Sequence, residues 1–145
     1  MDLDIGCEMS DVRSKMLDLK INRIMKNIDL ENRLIAFSVL IIKIVNELPP
    51  TYAGKTLAGQ IVRSGTSVAL NYGEVQGAES KKDFLHKMKL VLKELRETFI
   101  NLKIIHLCQL VKSEKILLTA KEENNELISI FVSSIKTAKQ NLHSH

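Results

Sequence analysis

Tryptophan is absent from the chain, and only 2 Tyr and 4 Phe occur in its 145 residues. Glycine and proline are scarce too, at 6 and 2, so turns are few and elements long. The two cysteines, Cys7 and Cys108, lie far apart, with neither a CxxC nor any metal-ligand spacing around them. Cys108 falls in an apolar helical run, where a buried free thiol is expected. A reducing compartment and no disulfide follow. The N-terminus carries Asp2, Asp4 and Glu8, the wrong charge for a secretory signal. The longest apolar run of the first bundle helix, Leu34 to Ile42, is interrupted by Ser38 and ended by Lys43. A bilayer needs about 20 apolar residues, so no membrane association is expected and the protein reads as cytoplasmic.

Catalytic patterns are also missing. Helical bundles that hold two irons use Glu-x-x-His pairs, yet neither Glu94 nor Glu97 has a histidine three residues on. His86 and His106 stand isolated, and His143 and His145 read as a solvated end. There is no nucleophile elbow and no Gly-rich phosphate loop. Ser64-Gly65-Thr66-Ser67 resembles a phosphate turn only in composition; its surroundings are helical, so it reads as small-residue helix packing. These absences predict no metal, no cofactor and no enzymatic activity.

What is present is a helix-forming alphabet. Hydrophobic residues make up 45% of the chain, enough for one continuous core, and Leu, Ile, Lys and Glu abound. Heptad-like stripes predict four helices. The first spans about 29–48, with Leu30, Leu34, Phe37, Ile41, Ile44 and Leu48 in its stripe. Asp29 is its expected N-cap, and Pro49-Pro50 stops it. The second spans about 53–77, with Leu57, Ile61, Val68, Tyr72 and Val75 in line, Gly65 in mid-stripe and Gly77 as a stop. The third begins at Ser80, a cap with Asp83 three residues on, and runs to about Val111. Its stripe is Phe84, Met88, Val91, Leu95, Phe99 and Leu102. The fourth spans about 113–142 through Ile128, Phe131, Ile135, Ala138 and Leu142. Glu122, Glu123 and Glu126 lie toward its start and Lys136 and Lys139 toward its end, as the helix dipole favours. Short loops between such helices predict an all-α, antiparallel up-down-up-down four-helix bundle over 29–142. Residues 1–28, with Ile5, Met9, Val12, Met16 and Leu19 at helical spacing, read either as an extra amphipathic helix or as a frayed tail.

Two polar stripes carry what functional signal there is. On the third helix Lys82, Lys89, Arg96 and Lys103 recur every seven residues, with His86 and Lys93 between them. At 100° per residue these six fall within about 100° of one another, opposite the apolar stripe. A phosphate backbone would meet such a ridge at several points. The alternative is a solvated face partly balanced by Glu94 and Glu97. With no aromatic on the ridge, base-specific reading is not expected. On the second helix Gln60, Arg63, Ser67, Asn71 and Glu74 form a polar line flanking the core. Such a line predicts specific hydrogen bonding, with Arg63 bridged to Glu74, Glu94 or Glu97 as one option.

The run from Gln60 through Arg63 and Ser67, then Asn71, Glu74, Gln76-Gly77-Ala78, Ser80 to Phe84, and Lys93 to Thr98 resembles a known family. It is the four-helix-bundle proteins encoded in intervening sequences of 23S ribosomal RNA genes, often labelled S23. The resemblance covers about residues 30–142. It implies a prokaryotic, cytoplasmic, homo-oligomeric bundle, with pentamers as the expected assembly. It also implies kinship to a basic accessory protein of diversity-generating retroelements that binds a reverse transcriptase and nucleic acid. Arg63, Ser67, Asn71, Glu74, Ser80, Phe84 and Glu94 match the family pattern, with packing and subunit contact as their implied role. Ile100-Asn101 departs from it, standing where relatives carry an aromatic pair. The first 28 residues exceed the usual lead-in, which makes Met16 or Met25 an alternative start. The functional expectation is a non-enzymatic scaffold that binds RNA, DNA or a reverse-transcriptase-like protein through the third-helix ridge. The alternative is a protein-interaction module with no nucleic-acid role.

Overall fold

The computed structural model describes the backbone of residues 2–143 and the side chains of residues 9–24 and 28–143. The expectations placed on Ile5, Cys7, Met25 and His145 lie outside the described side chains. Among the described residues four helices follow one another, α1 (Asp2–Glu47), α2 (Tyr52–Val75), α3 (Lys81–Leu107) and α4 (Glu114–His143). Among the described residues there is no strand, and no helix is long and apolar enough to cross a membrane. Residue contacts divide the chain into two compact units, Met1–Arg33 and Leu34–His145.

The second unit is an antiparallel bundle. Its cross-contacts run in opposite directions along neighbouring helices. On α2 and α3, Arg63 meets Glu97 and Ser64 meets Thr98, while Glu74, further along α2, acts on Lys87, earlier on α3. On α3 and α4, His106 lies by Glu114 and Lys121, whereas the earlier Leu95 and Phe99 lie by Asn124. The expected stripes supply most of the core: Leu34, Phe37, Ile41 and Ile44 of α1 are at most 1% exposed, and Ile61, Val68, Leu95, Leu102 and Phe131 are fully buried. On α4 the fully buried neighbour of Phe131 is Leu127 and not the expected Ile128, which is half-buried like Phe84, Phe99, Ala138 and Leu142. Each such side chain contributes about 1.5–3 kcal/mol by leaving water. Tyr72 of α2 meets Phe131 of α4 edge to face, with centroids 5.8 Å apart and planes at 85°, the geometry aromatic quadrupoles favour.

Small residues set how closely α1 and α2 approach. A Cβ on Gly65 would lie 2.8 Å from Ile41 Cγ2. At that point the Ser38 hydroxyl donates to the Gly65 carbonyl at 2.9 Å and also lies 2.9 Å from the Leu34 carbonyl. The Ser64–Ser67 segment is therefore helix packing, in line with its helical surroundings.

Several boundaries differ from the periodicity. Asp29 is not a cap: it lies inside α1, which is continuous from Asp2. After the two prolines, Thr51 caps α2, accepting from Gly54 N at 3.1 Å. Helix α3 ends at Leu107 and not near Val111. Gln109 adopts φ 53°, Gln109 N donates to His106 O and Leu110 N to Ile105 O. This is a Schellman termination with glutamine in the left-handed position that glycine normally takes. Cys108 is consequently not a buried thiol; it sits at this cap and is exposed. Gly77 follows α2 without a positive φ, so α2 ends without a left-handed cap.

In the first unit, Met9, Val12, Met16 and Leu19 do share helical spacing, and all are more than half exposed.

Candidate nucleic-acid interface

The start of α3 is fastened by reciprocal capping. Ser80 Oγ accepts from Asp83 N at 3.1 Å, and Asp83 Oδ2 accepts from Glu79 N at 3.1 Å and from Lys87 Nζ at 2.9 Å. The Lys87 hydrogen bond, followed by that from Glu79 N–H, holds the Asp83 carboxyl below its ordinary range, and Asp83 in turn raises Lys87. This cap and the buried stripe of Met88, Val91, Leu95 and Leu102 orient α3. All six ridge residues, Lys82, His86, Lys89, Lys93, Arg96 and Lys103, face solvent.

The structure distributes the six unequally. Lys89, Lys93 and Arg96 line one wall of a groove between α3 and α4, of about 680 Å³. Lys136 and Lys139 of α4 form the opposite wall. Lys82, His86 and Lys103 lie outside this groove; Lys103 sits instead over the Phe99 ring, 4.5 Å from its centroid, a cation–π contact. A second hollow, lined by Lys136, Lys139, Gln140 and His143, shares those two lysines. Sequence reasoning assigned Lys136 and Lys139 only to the helix dipole. Periodicity within one helix carries no information about which neighbour its C-terminal half faces, so their pairing with the α3 ridge was not readable.

Among the described residues Glu97 is the one carboxylate that lines the groove, and Glu97 is already engaged. Its Oε2 accepts from Arg63 Nη2 at 2.8 Å, while Glu94 accepts from Nη1 at 3.3 Å. Both carboxylates raise the Arg63 guanidinium above its ordinary value, Glu97 foremost through its hydrogen bond. Of the options for Arg63, the structure selects Glu94 and Glu97 over Glu74. The two glutamates expected to balance the ridge are thus turned toward α2. Among the described residues, Lys89, Lys93, Arg96, Lys136 and Lys139 have no carboxylate within salt-bridge distance.

The other family-pattern residues have local roles. Ser67 Oγ donates to its own Arg63 carbonyl at 2.6 Å, Asn71 and Phe84 are half-buried, and Glu74 is exposed. Sequence reasoning missed one polar residue at the heart of the bundle. Asn124 of α4 is fully buried. With its amide oriented to satisfy both ends, it donates to Leu95 O at 3.0 Å and accepts from Phe99 N at 3.1 Å, tying α4 to the backbone of α3. Its place on the Leu117–Leu127–Phe131 face was the available signal.

This arrangement is a packed bundle with a cationic groove and no clustered acid–base chemistry. Among the described residues, no group of three or more His, Cys, Asp or Glu side chains is placed to hold a metal. The family model of the 23S rRNA-intervening sequence protein matches residues 26–133. Among solved structures the chain is similar to a protein of unknown function from the S23 ribosomal protein family of Bacteroides thetaiotaomicron VPI-5482. The identity is 27% and the TM-score 0.68, over 77% of this chain and 98% of that one. No curated protein matches. The matched span takes in the latter part of α1, α2, α3 and most of α4, including the α3 wall but stopping short of Lys136 and Lys139, and on it the chain belongs to the family of 23S rRNA-intervening sequence proteins.

Proposed function

We propose that this chain is a non-enzymatic, self-associating cytoplasmic scaffold that binds the phosphate backbone of RNA or DNA through the α3–α4 groove and the ridge beside it. The observation that supports this most is the pair of cationic rows, Lys89, Lys93 and Arg96 against Lys136 and Lys139, none of them neutralised within the described residues. Each cation that meets a phosphate releases condensed counterions, and that release favours binding independently of base sequence. The buried polar side chains Ser38, Ser64, Thr98 and Asn124 bond across helix seams, which fits a packed scaffold better than a reaction centre. A reverse-transcriptase-like protein that itself carries nucleic acid is the partner class the family resemblance adds.

The test is charge reversal with a matched control. Lys89→Glu, Lys93→Glu and Arg96→Glu together should weaken binding to a mixed-sequence RNA or DNA at least about tenfold, or 1.4 kcal/mol, with helix content unchanged. Reversing Lys43, Lys55 and Lys115, which are exposed elsewhere, should weaken it far less. Equal loss in the two triples would reduce the effect to net charge. No loss in the first would leave the ridge a solvated face.

A second reading, a protein-interaction module with no nucleic acid, draws on one feature: Ile100 and Val132 line the same groove while 58% and 42% exposed. It predicts a stable oligomer that heparin does not retain at moderate salt.

A further inference from the structure

A phosphate backbone uses the walls of the α3–α4 groove but not its floor. The floor is apolar: Leu92 and Ile135 close it from below, and Ile100 and Val132 stand open to water. A groove with cationic walls and an apolar floor suits an acidic amphipathic helix, which offers carboxylates to the walls and aliphatic side chains to the floor.

The chain carries such a segment itself. Its first twelve residues hold Asp2, Asp4, Glu8 and Asp11 and no Lys or Arg, and the first base is Arg13. The backbone from Asp2 onward is helical. Ile5, Met9 and Val12 recur in that stretch at spacings of four and three, the interval of one helix face. Met9 and Val12 are 57% and 56% exposed, so neither is buried by its own helix. Ile100 and Val132 of the groove are likewise uncovered. Lengths agree as well. Eleven residues of helix measure about 16 Å, and so does the α3 wall from Lys89 to Ile100.

We propose that the acidic first three turns of α1 dock into the α3–α4 groove of a second copy of this chain. Asp4, Glu8 and Asp11 would pair with the rows of Lys89, Lys93 and Arg96 and of Lys136 and Lys139, and Met9 and Val12 would cover Ile100 and Val132. The bound arm occupies the surface offered above to nucleic acid, so the two compete. The inference rests on charge and apolar complementarity and does not require that nucleic acid binds.

Equal amounts of full-length natural-isotope and 15N-labelled protein are unfolded together, refolded without nucleic acid, treated with a zero-length carbodiimide and digested. The expected result is peptides joining residues 2–12 to Lys89, Lys93, Lys136 or Lys139, about half of them pairing one heavy and one light chain. Links found only within chains of one isotope would overturn docking in a second copy, and an absence of such links would overturn docking altogether. A second measurement exploits the charges. Asp4→Lys, Glu8→Lys and Asp11→Lys in one chain should abolish these links, as should Lys89→Glu, Lys93→Glu and Lys136→Glu in another. Mixing the two variants should restore them between unlike chains. Failure of the mixture to restore them, with helix content intact in both, would also overturn the proposal.

Discussion

The Thr98 hydroxyl of α3 donates to Ser64 Oγ of α2 across 2.8 Å, and both residues are fully buried. Thr98 Oγ1 also lies 2.8 Å from the Glu94 carbonyl, and Ser64 Oγ lies 3.4 Å from the Ile61 carbonyl. The pair is therefore closed on itself and on its own helices, beneath the Arg63 bridge to Glu94 and Glu97. Ser64→Ala or Thr98→Val alone should cost about 1–2 kcal/mol, because one hydroxyl is left with a poorer partner. The double variant should cost clearly less than their sum. Urea unfolding of the four proteins in a double-mutant cycle measures the coupling, expected at about 0.5–1 kcal/mol or more. Strict additivity would mean the contact is not formed in solution.

Gly65 separates packing from propensity. Alanine favours helix over glycine by about 1 kcal/mol, but at this site its Cβ would crowd Cγ2, Cγ1 and Cβ of the β-branched Ile41, whose χ1 has little freedom. Overpacking of this kind costs about 1–3 kcal/mol, so Gly65→Ala should lower the thermal midpoint. Gly73 of the same helix would meet nothing within 4 Å, and Gly73→Ala should raise it. Opposite shifts in the two variants are the expected outcome.

These residues also show how far the amino-acid order can be read. Stripes such as Leu34–Phe37–Ile41 and Met88–Val91–Leu95 announce both the helix and its inward face, because period and burial are the same signal. Ser64 and Gly65 could be assigned to packing because small residues stood in an apolar line. The ends were harder. Nothing local marks Gln109 as left-handed, and α1 runs through Asp29 because a good cap residue is also tolerated on an exposed helix face. The groove was half legible: one wall follows from the seven-residue spacing on α3, but Lys136 and Lys139 join it only through the pairing of α3 with α4.

Gln109 itself offers a stabilising substitution. A left-handed φ of 53° costs a non-glycine residue roughly 1 kcal/mol, while its backbone already completes the Schellman bonds. Gln109→Gly should therefore stabilise the fold by about 0.5–1 kcal/mol, seen as a higher urea midpoint with an unchanged slope of the transition. A loss of stability would show that the glutamine side chain contributes more than its backbone strain costs.

Asp83 should give the bundle an acid-sensitive cap. Its folded pKa is lowered, first by the Lys87 hydrogen bond and then by Glu79 N–H. A depressed carboxyl pKa stabilises the folded state fully above the unfolded value, and that contribution is lost as pH falls through the folded one. The difference in melting temperature between the parent and Asp83→Asn should be largest near neutral pH. It should shrink below about pH 4, the ordinary carboxylate range. A difference that stays constant through that range would remove Asp83's charge from the account.

Most direct for the central claim is the salt dependence of nucleic-acid affinity. Five groove cations meeting phosphates predict that log K falls with log salt with a slope of about −3.5 on single strands and about −4.5 on duplex DNA. Replacing Lys93 and Lys136 with Gln should make that slope shallower by about 1.4 on single strands and about 1.8 on duplex DNA. A slope near zero, or one that the two substitutions leave unchanged, would contradict the assignment of the α3–α4 groove to the phosphate backbone.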